Sequence, residues 1–291
     1  MGAAASVGYA ARPLPLYYAM SQAGRAIAAA HADQPWKLKG HGLRHESGHS
    51  IFQSVITLEP DCTDLFSHVC GAVSQDLLTE SVELGALWAS LPEFWGIELR
   101  RERWPRALRV MPPSLDFAAN RLRNAAAPAV ICGLPDRIFE GVSDKDLPAV
   151  LEKELAQYPG AQGWEPSAEV PHADEWGRHA NVRWNADSSW LRGVVLDQHA
   201  PEYRVREQRW LRPVLNESND VLGPLMTWWA LLYGLSMLAR YDPAPWTEAL
   251  RADKSRDAVP LEIAMDEALE AVPHLVLEAL KGKRLLLRTP G

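Results

Sequence analysis

Residues 45–49 read H-E-S-G-H and fit the pattern H-E-x-x-H. On a helix, two histidines four residues apart share a face and bind zinc, and the glutamate acts as general base toward a zinc-bound water. Three glycines in or beside this segment disfavour a helix, and the run from Ser50 to Leu58 favours a strand. No third ligand can be assigned. A zinc-dependent hydrolase using His45, Glu46 and His49, with the two histidines as metal ligands, is therefore a hypothesis that we do not favour.

A metal-independent ribonuclease is a second enzymatic hypothesis. It would use an arginine to hold phosphate and a histidine a few residues later to transfer protons. Three pairs have this spacing, and about two are expected by chance; the pairs are Arg25–His31, Arg44–His49 and Arg192–His199. The spacing alone therefore does not distinguish a nuclease site from a solvated polar face.

A basic cluster lies in the middle of the chain. Within residues 100–123, only Glu102 and Asp116 oppose the arginines, and Trp104 lies among them. The arginines of this cluster are Arg100, Arg101, Arg103, Arg106, Arg109, Arg121 and Arg123. Clustered arginines beside an aromatic ring are what phosphate or nucleic-acid contact requires, although a strand face paired with acidic neighbours would look the same.

The composition excludes several classes of protein. The chain has 291 residues, 47% of them hydrophobic and 23% charged, which is typical of a globular protein; it is also rich in tryptophan, with 12. A net charge of −7 argues against a global electrostatic grip on nucleic acid. The three cysteines are sparse and form no C-x-x-C motif, so we expect reduced thiols and a cytoplasmic protein. The excess of arginine (23) over lysine (7) suggests a GC-rich bacterial genome. The two glycine-rich motifs that bind nucleotide phosphates, G-x-x-x-x-G-K-[ST] and G-x-G-x-x-G, do not occur, and no G-x-S-x-G is present.

The elements that must position these residues are mainly helices at the two ends of the chain. An apolar stripe predicts a helix over about 15–32, and Gly24 within it implies close approach to another helix. Residues 221–239 carry no charge, and we interpret them as a buried helix over 224–240 rather than a membrane span. A turn at 242–245 and a short helix over 246–253 should follow.

The fold class predicted from these patterns is α+β. Residues 1–95 form an N-terminal helical segment with a short strand, and short extended runs punctuated by proline and glycine make residues 96–217 β-rich. Residues 218–291 form a C-terminal helical segment. We expect the two helical segments to pack into one core.

Two stretches carry a family resemblance. Leu14 to Ile27, followed by Gly40-His41-Gly42-Leu43, resembles the start of YaaC-like bacterial proteins, and Pro224 to Tyr241 with Pro245-Trp246 resembles their C-terminal region. The resemblance implies an architecture more than a reaction, and residues 45–49 lie just beyond its first part. It implies a polar lining where two helical segments meet, formed by Tyr17, Tyr18, Ser21, Gln22, Arg25, His41 and Arg240. A buried Arg25 would need a carboxylate or a ligand phosphate as acceptor.

The function that we expect is that of a cytoplasmic YaaC-like binding or interaction protein. It would contact RNA or a phosphorylated ligand through arginines, with Arg25, Arg101 and Arg103 as candidates beside the polar lining. A protein partner or self-association stays open, and we expect no membrane contact. An enzyme, either the ribonuclease using Arg44 and His49 or the zinc hydrolase, is the alternative.

Overall fold

The computed structural model describes residues 1–31, 40–59, 64–73, 76–97, 99, 104–111, 127–166, 172–174, 177–184, 203–205 and 208–282. The helices are α1 (Gly2–Ala5), α2 (Pro13–His31), α3 (Leu65–Ala72), α4 (Leu84–Ala89), α5 (Leu147–Leu155), α6 (Pro224–Tyr241), α7 (Pro243–Ala249) and α8 (Ala258–Lys281). The strands are β1 (Leu43–Glu46), β2 (Val55–Leu58), β3 (Val82–Glu83), β4 (Leu108–Met111), β5 (Ala127–Leu134), β6 (Trp164–Pro166), β7 (His172–Asp174), β8 (Gly177–Trp184), β9 (Tyr203–Val205) and β10 (Gln208–Leu211). The predicted α+β class is confirmed.

The strands form two antiparallel sheets. The smaller sheet has the order β1-β2-β3. The larger sheet has the order β6-β8-β5-β4-β10-β9, and β7 pairs with β8. Short antiparallel strands are consistent with the many prolines and glycines of the middle segment.

The chain divides into two compact units. The first unit contains residues 1–104 and 215–291, so its two parts are separated along the chain; the second unit contains residues 105–214. The first unit holds most of the helices and the smaller sheet. The second holds the larger sheet and α5, whose Leu151 and Leu155 are buried with Leu108 and Ile131 of the sheet.

Helix α6 is the centre of the first unit. Every residue from Leu225 to Ser236 is buried, and Trp228 and Trp229 are fully buried. Helix α2 packs on it: a Cβ atom placed at Gly24 would overlap the ring of Trp229. No described helix combines the length and the apolar character that crossing a membrane would require.

Two local predictions were wrong or displaced. Residues 242–245 do not form a separate turn, because α7 begins at Pro243 and ends at Ala249. Proline fits the first turn of a helix, where its missing N–H and fixed φ cost nothing. The run from Ser50 begins as a 3-10 turn over Ile51–Gln53, and only Val55–Leu58 is a strand.

The described cysteines are consistent with reduced thiols. Cys70 and Cys132 are buried and form no disulfide, and Cys62 lies outside the described residues. Burial, followed by the nearby Asp64 carboxylate, raises the pKa of the Cys70 thiol to about 12. This thiol is therefore protonated and unreactive at neutral pH.

Candidate functional site

A group of aromatic residues surrounds an arginine where the C-terminal end of α6 meets α2 and the segment before β1. We call it the tyrosine–arginine surface; its members are Tyr17, Tyr18, His41, Tyr233, Arg240 and Tyr241. The ring centroids of Tyr17 and Tyr233 are 5.4 Å apart, and those of His41 and Tyr233 are 5.0 Å apart. The structure thus brings together residues from three segments that are distant in the sequence.

Arg240 is the exposed cation of this surface. Its guanidinium donates a hydrogen bond to the Tyr18 hydroxyl and lies 5.6 Å from the ring centroids of both Tyr18 and Tyr241. Hydrogen bonding to Tyr241, followed by the influence of Tyr18, raises the pKa of Arg240. No described carboxylate forms an ion pair with it. Two phenol rings, rather than an acid, therefore hold this guanidinium at the surface.

The two rings beside Arg240 are unusually open to solvent for aromatic side chains. Tyr18 is 51% exposed and Tyr241 is 63% exposed. Leaving large rings in water forgoes the free energy of burying them, so an exposed pair beside a cation is typical of a contact surface. A cation near aromatic faces is itself favourable, by about 0.5–1 kcal/mol at exposed sites.

A deeper layer fixes the base of the surface. Tyr233 is buried and donates a 2.7 Å hydrogen bond to the carbonyl of Leu43, which ties α6 to the start of β1. Tyr17 is half-buried, and burial raises its pKa to about 12. Its phenol is therefore a neutral hydrogen-bond donor at physiological pH.

The sequence Gly40-His41-Gly42 presents His41 to this layer. Both glycines have positive φ, +73° and +88°, a conformation that side-chain-bearing residues rarely adopt. A Cβ atom at Gly42 would also overlap the buried carboxylate of Asp64, which caps α3 by accepting a 2.7 Å hydrogen bond from the Ser67 N–H. The imidazole of His41 accepts a hydrogen bond from the N–H of Leu43. The ring is exposed and lies beside Tyr233.

The other predicted lining residues lie farther along α2. Tyr18, Gln22 and Arg25 are all exposed, and their spacing places them on one face of the helix, whereas Ser21 is half-buried. Arg25 is therefore not the buried arginine considered above, and it makes no ion pair with a described carboxylate. Helix α2 contains no acidic residue.

The H-E-x-x-H residues do not lie on a helix. His45 and Glu46 end strand β1, and His49 follows in a bend. Successive strand residues point to opposite faces, so the helical geometry that lets two histidines bind one zinc ion beside a glutamate base is not formed. Among the described residues, no group of three or more metal-ligating side chains is close enough to hold a metal ion.

His45 differs from its neighbours in its surroundings. Its Nε2 atom is buried and has no hydrogen-bond partner among the residues that the structure describes. Burial lowers the pKa of His45, against the opposing influence of Asp242 and then Glu46. The ring is therefore neutral at physiological pH, whereas Glu46 and His49 are exposed.

The arginine–histidine pairs are separated in different ways. Arg25 and His31 are six residues apart on α2, so their side chains leave the helix axis about 120° apart. Arg44 lies in β1 and His49 beyond its end, both exposed. The pair Arg192–His199 lies outside the described residues.

Most of the basic cluster also lies outside the described residues, namely Arg100, Arg101, Arg103, Arg121 and Arg123. Its other two arginines, Arg106 and Arg109, are half-buried in the second unit.

Two members of the surface, Tyr233 and Tyr241, were missed by sequence reasoning. Tyr233 was counted only as part of a buried helix, because its hydroxyl partner, the Leu43 carbonyl, is a backbone group far away in the chain. Tyr241 could have been predicted as a member of the surface, because it directly follows Arg240 at the end of that helix.

Comparison with known proteins identifies the family of the chain. No significant match was found among curated proteins or among solved structures. A family model described as YaaC-like protein matches residues 1–280, which include the whole second unit and all of the first unit except residues 281–291. Because the match spans nearly the entire sequence, the chain belongs to the YaaC-like protein family.

Proposed function

We propose that the protein is a cytoplasmic binding protein that holds a phosphorylated ligand, such as RNA, on the tyrosine–arginine surface. The observation that carries the proposal is the state of Arg240: an exposed guanidinium, oriented by Tyr18 and Tyr241, with no described carboxylate as its ion-pair partner. A guanidinium has five N–H donors in a rigid plane, and Tyr18 and Tyr241 use only part of that capacity. The remaining donors suit a phosphate, which accepts two parallel hydrogen bonds.

Neighbouring groups add neutral donors at short range. The hydroxyl of Tyr17 forms no hydrogen bond with a described residue, and its raised pKa of about 12 keeps it protonated. A phosphate at Arg240 would meet phenol hydroxyls as well as the cation, and hydrogen bonds to a charged acceptor contribute about 1.5–3 kcal/mol each.

The acidic residues near the tyrosine–arginine surface lie on one side of it. Asp242, which accepts a hydrogen bond from Ser47, and Glu59, which is near Gly40, are on the β1 side of the surface. Helix α2 contributes no acidic residue on the other side. Since the whole chain carries −7, long-range attraction does not recruit an anion, and binding depends on these short-range contacts.

The test is calorimetric titration with inorganic tripolyphosphate, a probe that offers phosphate without any base or sugar. Replacing Arg240 by Gln should weaken binding about tenfold or more, because it removes a charge-assisted bidentate contact. Arg256→Gln is the matched control, since Arg256 is an exposed arginine of the same unit, outside the surface. A wild-type protein that binds no tripolyphosphate, or equal losses in both variants, would refute the proposal.

A further inference from the structure

We infer that the ligand is a single strand of nucleic acid that runs along the exposed face of α2, from Arg240 to Arg25. This inference rests on the proposed function, because it assigns the ligand of the same surface. It adds two claims that the proposed function does not contain: that bases stack on the exposed tyrosines, and that the ligand extends beyond a single nucleotide.

The first claim follows from the rings that flank Arg240. Tyr18 and Tyr241 are 51% and 63% exposed, and the guanidinium lies at 5.6 Å from each ring centroid. A phosphate at Arg240 would therefore lie near two exposed aromatic rings. Unpaired bases stack on such rings, whereas the bases of a duplex already stack on one another and are closed to them.

The second claim follows from the helix that continues the surface. Tyr18, Gln22 and Arg25 occupy one exposed face of α2, and seven residues of helix extend about 10 Å from Tyr18 to Arg25. That length is about three times the 3.4 Å rise per nucleotide of a stacked strand. A strand of several nucleotides can span that length, whereas one nucleotide spans about a third of it.

The chemistry along this path suits a polynucleotide. Arg25 is exposed, makes no ion pair with a described carboxylate and provides a second phosphate contact, while the Gln22 amide between the arginines offers both donors and an acceptor to base edges. The 19 residues of α2 contain no acid that would repel the backbone. An acidic peptide would also be attracted to the arginines, but it would leave the exposed rings without a stacking partner.

The experiment compares ligands by fluorescence anisotropy, using labelled oligo(U) RNA and oligo(dT) DNA of about eight nucleotides, a length within the range that single-strand-binding domains cover. Unlabelled uridine monophosphate, a blunt-ended RNA duplex and an acidic peptide of equal charge serve as competitors. The oligomer should bind at least about tenfold more tightly than the monophosphate, and the duplex and the peptide should compete poorly. Binding of either the RNA or the DNA oligomer supports the inference, and tighter binding of one of them indicates which nucleic acid is the natural ligand.

Variants separate the two claims. Tyr18→Leu and Tyr241→Leu should each weaken oligomer binding about fivefold or more, whereas Tyr18→Phe, which keeps the ring, should weaken it less than Tyr18→Leu. Arg25→Gln should weaken oligomer binding by a larger factor than it weakens tripolyphosphate binding, and Arg256→Gln should change neither. All these side chains are exposed, so the substitutions leave the core intact.

The outcomes also separate this inference from the proposed function. If tripolyphosphate binds through Arg240 but the oligomer gains nothing over it, or if Arg25→Gln and the leucine variants bind the oligomer as well as wild type, the inference fails while the proposed function stands. If the acidic peptide competes as well as the oligomer, the ligand is a protein segment and the inference is overturned. If neither tripolyphosphate nor the oligomer binds, the proposed function itself fails.

Discussion

Gly24 of α2 lies directly against the ring of Trp229 of α6. Trp229 is fully buried, and the six-membered part of its indole occupies the space that any side chain at position 24 would need. The two helices approach this closely only because one residue has no side chain. This contact sets the position of α2, and with it the position of Tyr18 relative to Arg240.

Gly24→Ala should therefore destabilise the protein, even though alanine is the better helix former. Overpacking a filled core costs about 1–3 kcal/mol, which exceeds the gain of up to about 1 kcal/mol in helix propensity. The measurement is the free energy of unfolding in urea. Gly71→Ala is the control, because Gly71 is also helical but a Cβ there meets no atom within 4 Å; it should leave stability unchanged or raise it. A Gly24→Ala protein as stable as wild type would contradict the packing described.

Asp220 joins two distant loops of the first unit. Its carboxylate accepts 2.7 Å hydrogen bonds from the N–H and the hydroxyl of Thr79 and from the amide of Asn216. Asp220→Ala should lower the free energy of unfolding by about 1–3 kcal/mol, because the donors of Thr79 lose a charged acceptor. Urea denaturation measures the loss, and Glu217→Gln, in the same turn but exposed, should have almost no effect.

The same carboxylate should contribute to acid sensitivity. Burial alone would raise the pKa of Asp220, but the hydrogen bonds from Asn216 and Thr79 outweigh it and lower the pKa below its usual value of 3.8. A lowered folded-state pKa means that this contribution to stability is complete above about pH 4 and is lost as the pH falls through the lower value. Unfolding midpoints measured between neutral and strongly acidic pH should fall less in Asp220→Asn than in wild type. Parallel profiles would exclude this role.

Tyr17 should titrate late. Burial raises its pKa from 10.0 to about 12, so the folded protein retains this proton where an unfolded chain would lose it. The stabilisation is complete below pH 10 and disappears as the pH rises toward about 12. Tyrosinate absorbance, followed during an alkaline titration, should show a smaller late-titrating fraction in Tyr17→Phe than in wild type. An unchanged titration curve would show that Tyr17 is solvated.

Two ion pairs of the second unit should differ in their contribution to stability. Glu154 is 5% exposed and pairs with Arg137 at 2.9 Å, whereas Arg178 and Asp136 are both largely exposed at 2.7 Å. Arg137→Met leaves the buried carboxylate of Glu154 without its cation and should therefore lower the stability of the protein. The upper limit of the loss is about 3–5 kcal/mol, the value expected for a fully buried pair. Arg178→Met should cost about 0–1 kcal/mol. Thermal unfolding of the two variants makes the comparison, and equal effects would contradict the burial of Glu154.

Much of the helical core was predictable because its signals are local. The apolar stripe of α2 and the uncharged run of α6 each specify a helix without reference to the rest of the chain, and Gly24 correctly indicated a close helix contact. Helix α7 was displaced because Pro243 was interpreted as a turn residue although it begins a helix.

The candidate site was harder to predict because its contacts join distant positions. Tyr18 and Arg240 are 222 positions apart, and the hydroxyl of Tyr233 bonds a backbone carbonyl 190 positions away. No periodicity in a sequence records such pairs. Spacing also misled at residues 45–49, where a pattern that needs a helix lies at the end of a strand.

The division of the first unit between the two ends of the chain has a consequence for biosynthesis. The ribosome makes α2 early, and residues 105–214 all follow before α6 exists. Until then the apolar stripe of α2 has no Trp229 to cover it, whereas the second unit is continuous and can assemble as it emerges. Closing the first unit is a long-range event, which slows folding. We therefore expect a chain truncated before residue 215 to expose the face of α2 that α6 covers and to aggregate more readily than the whole chain.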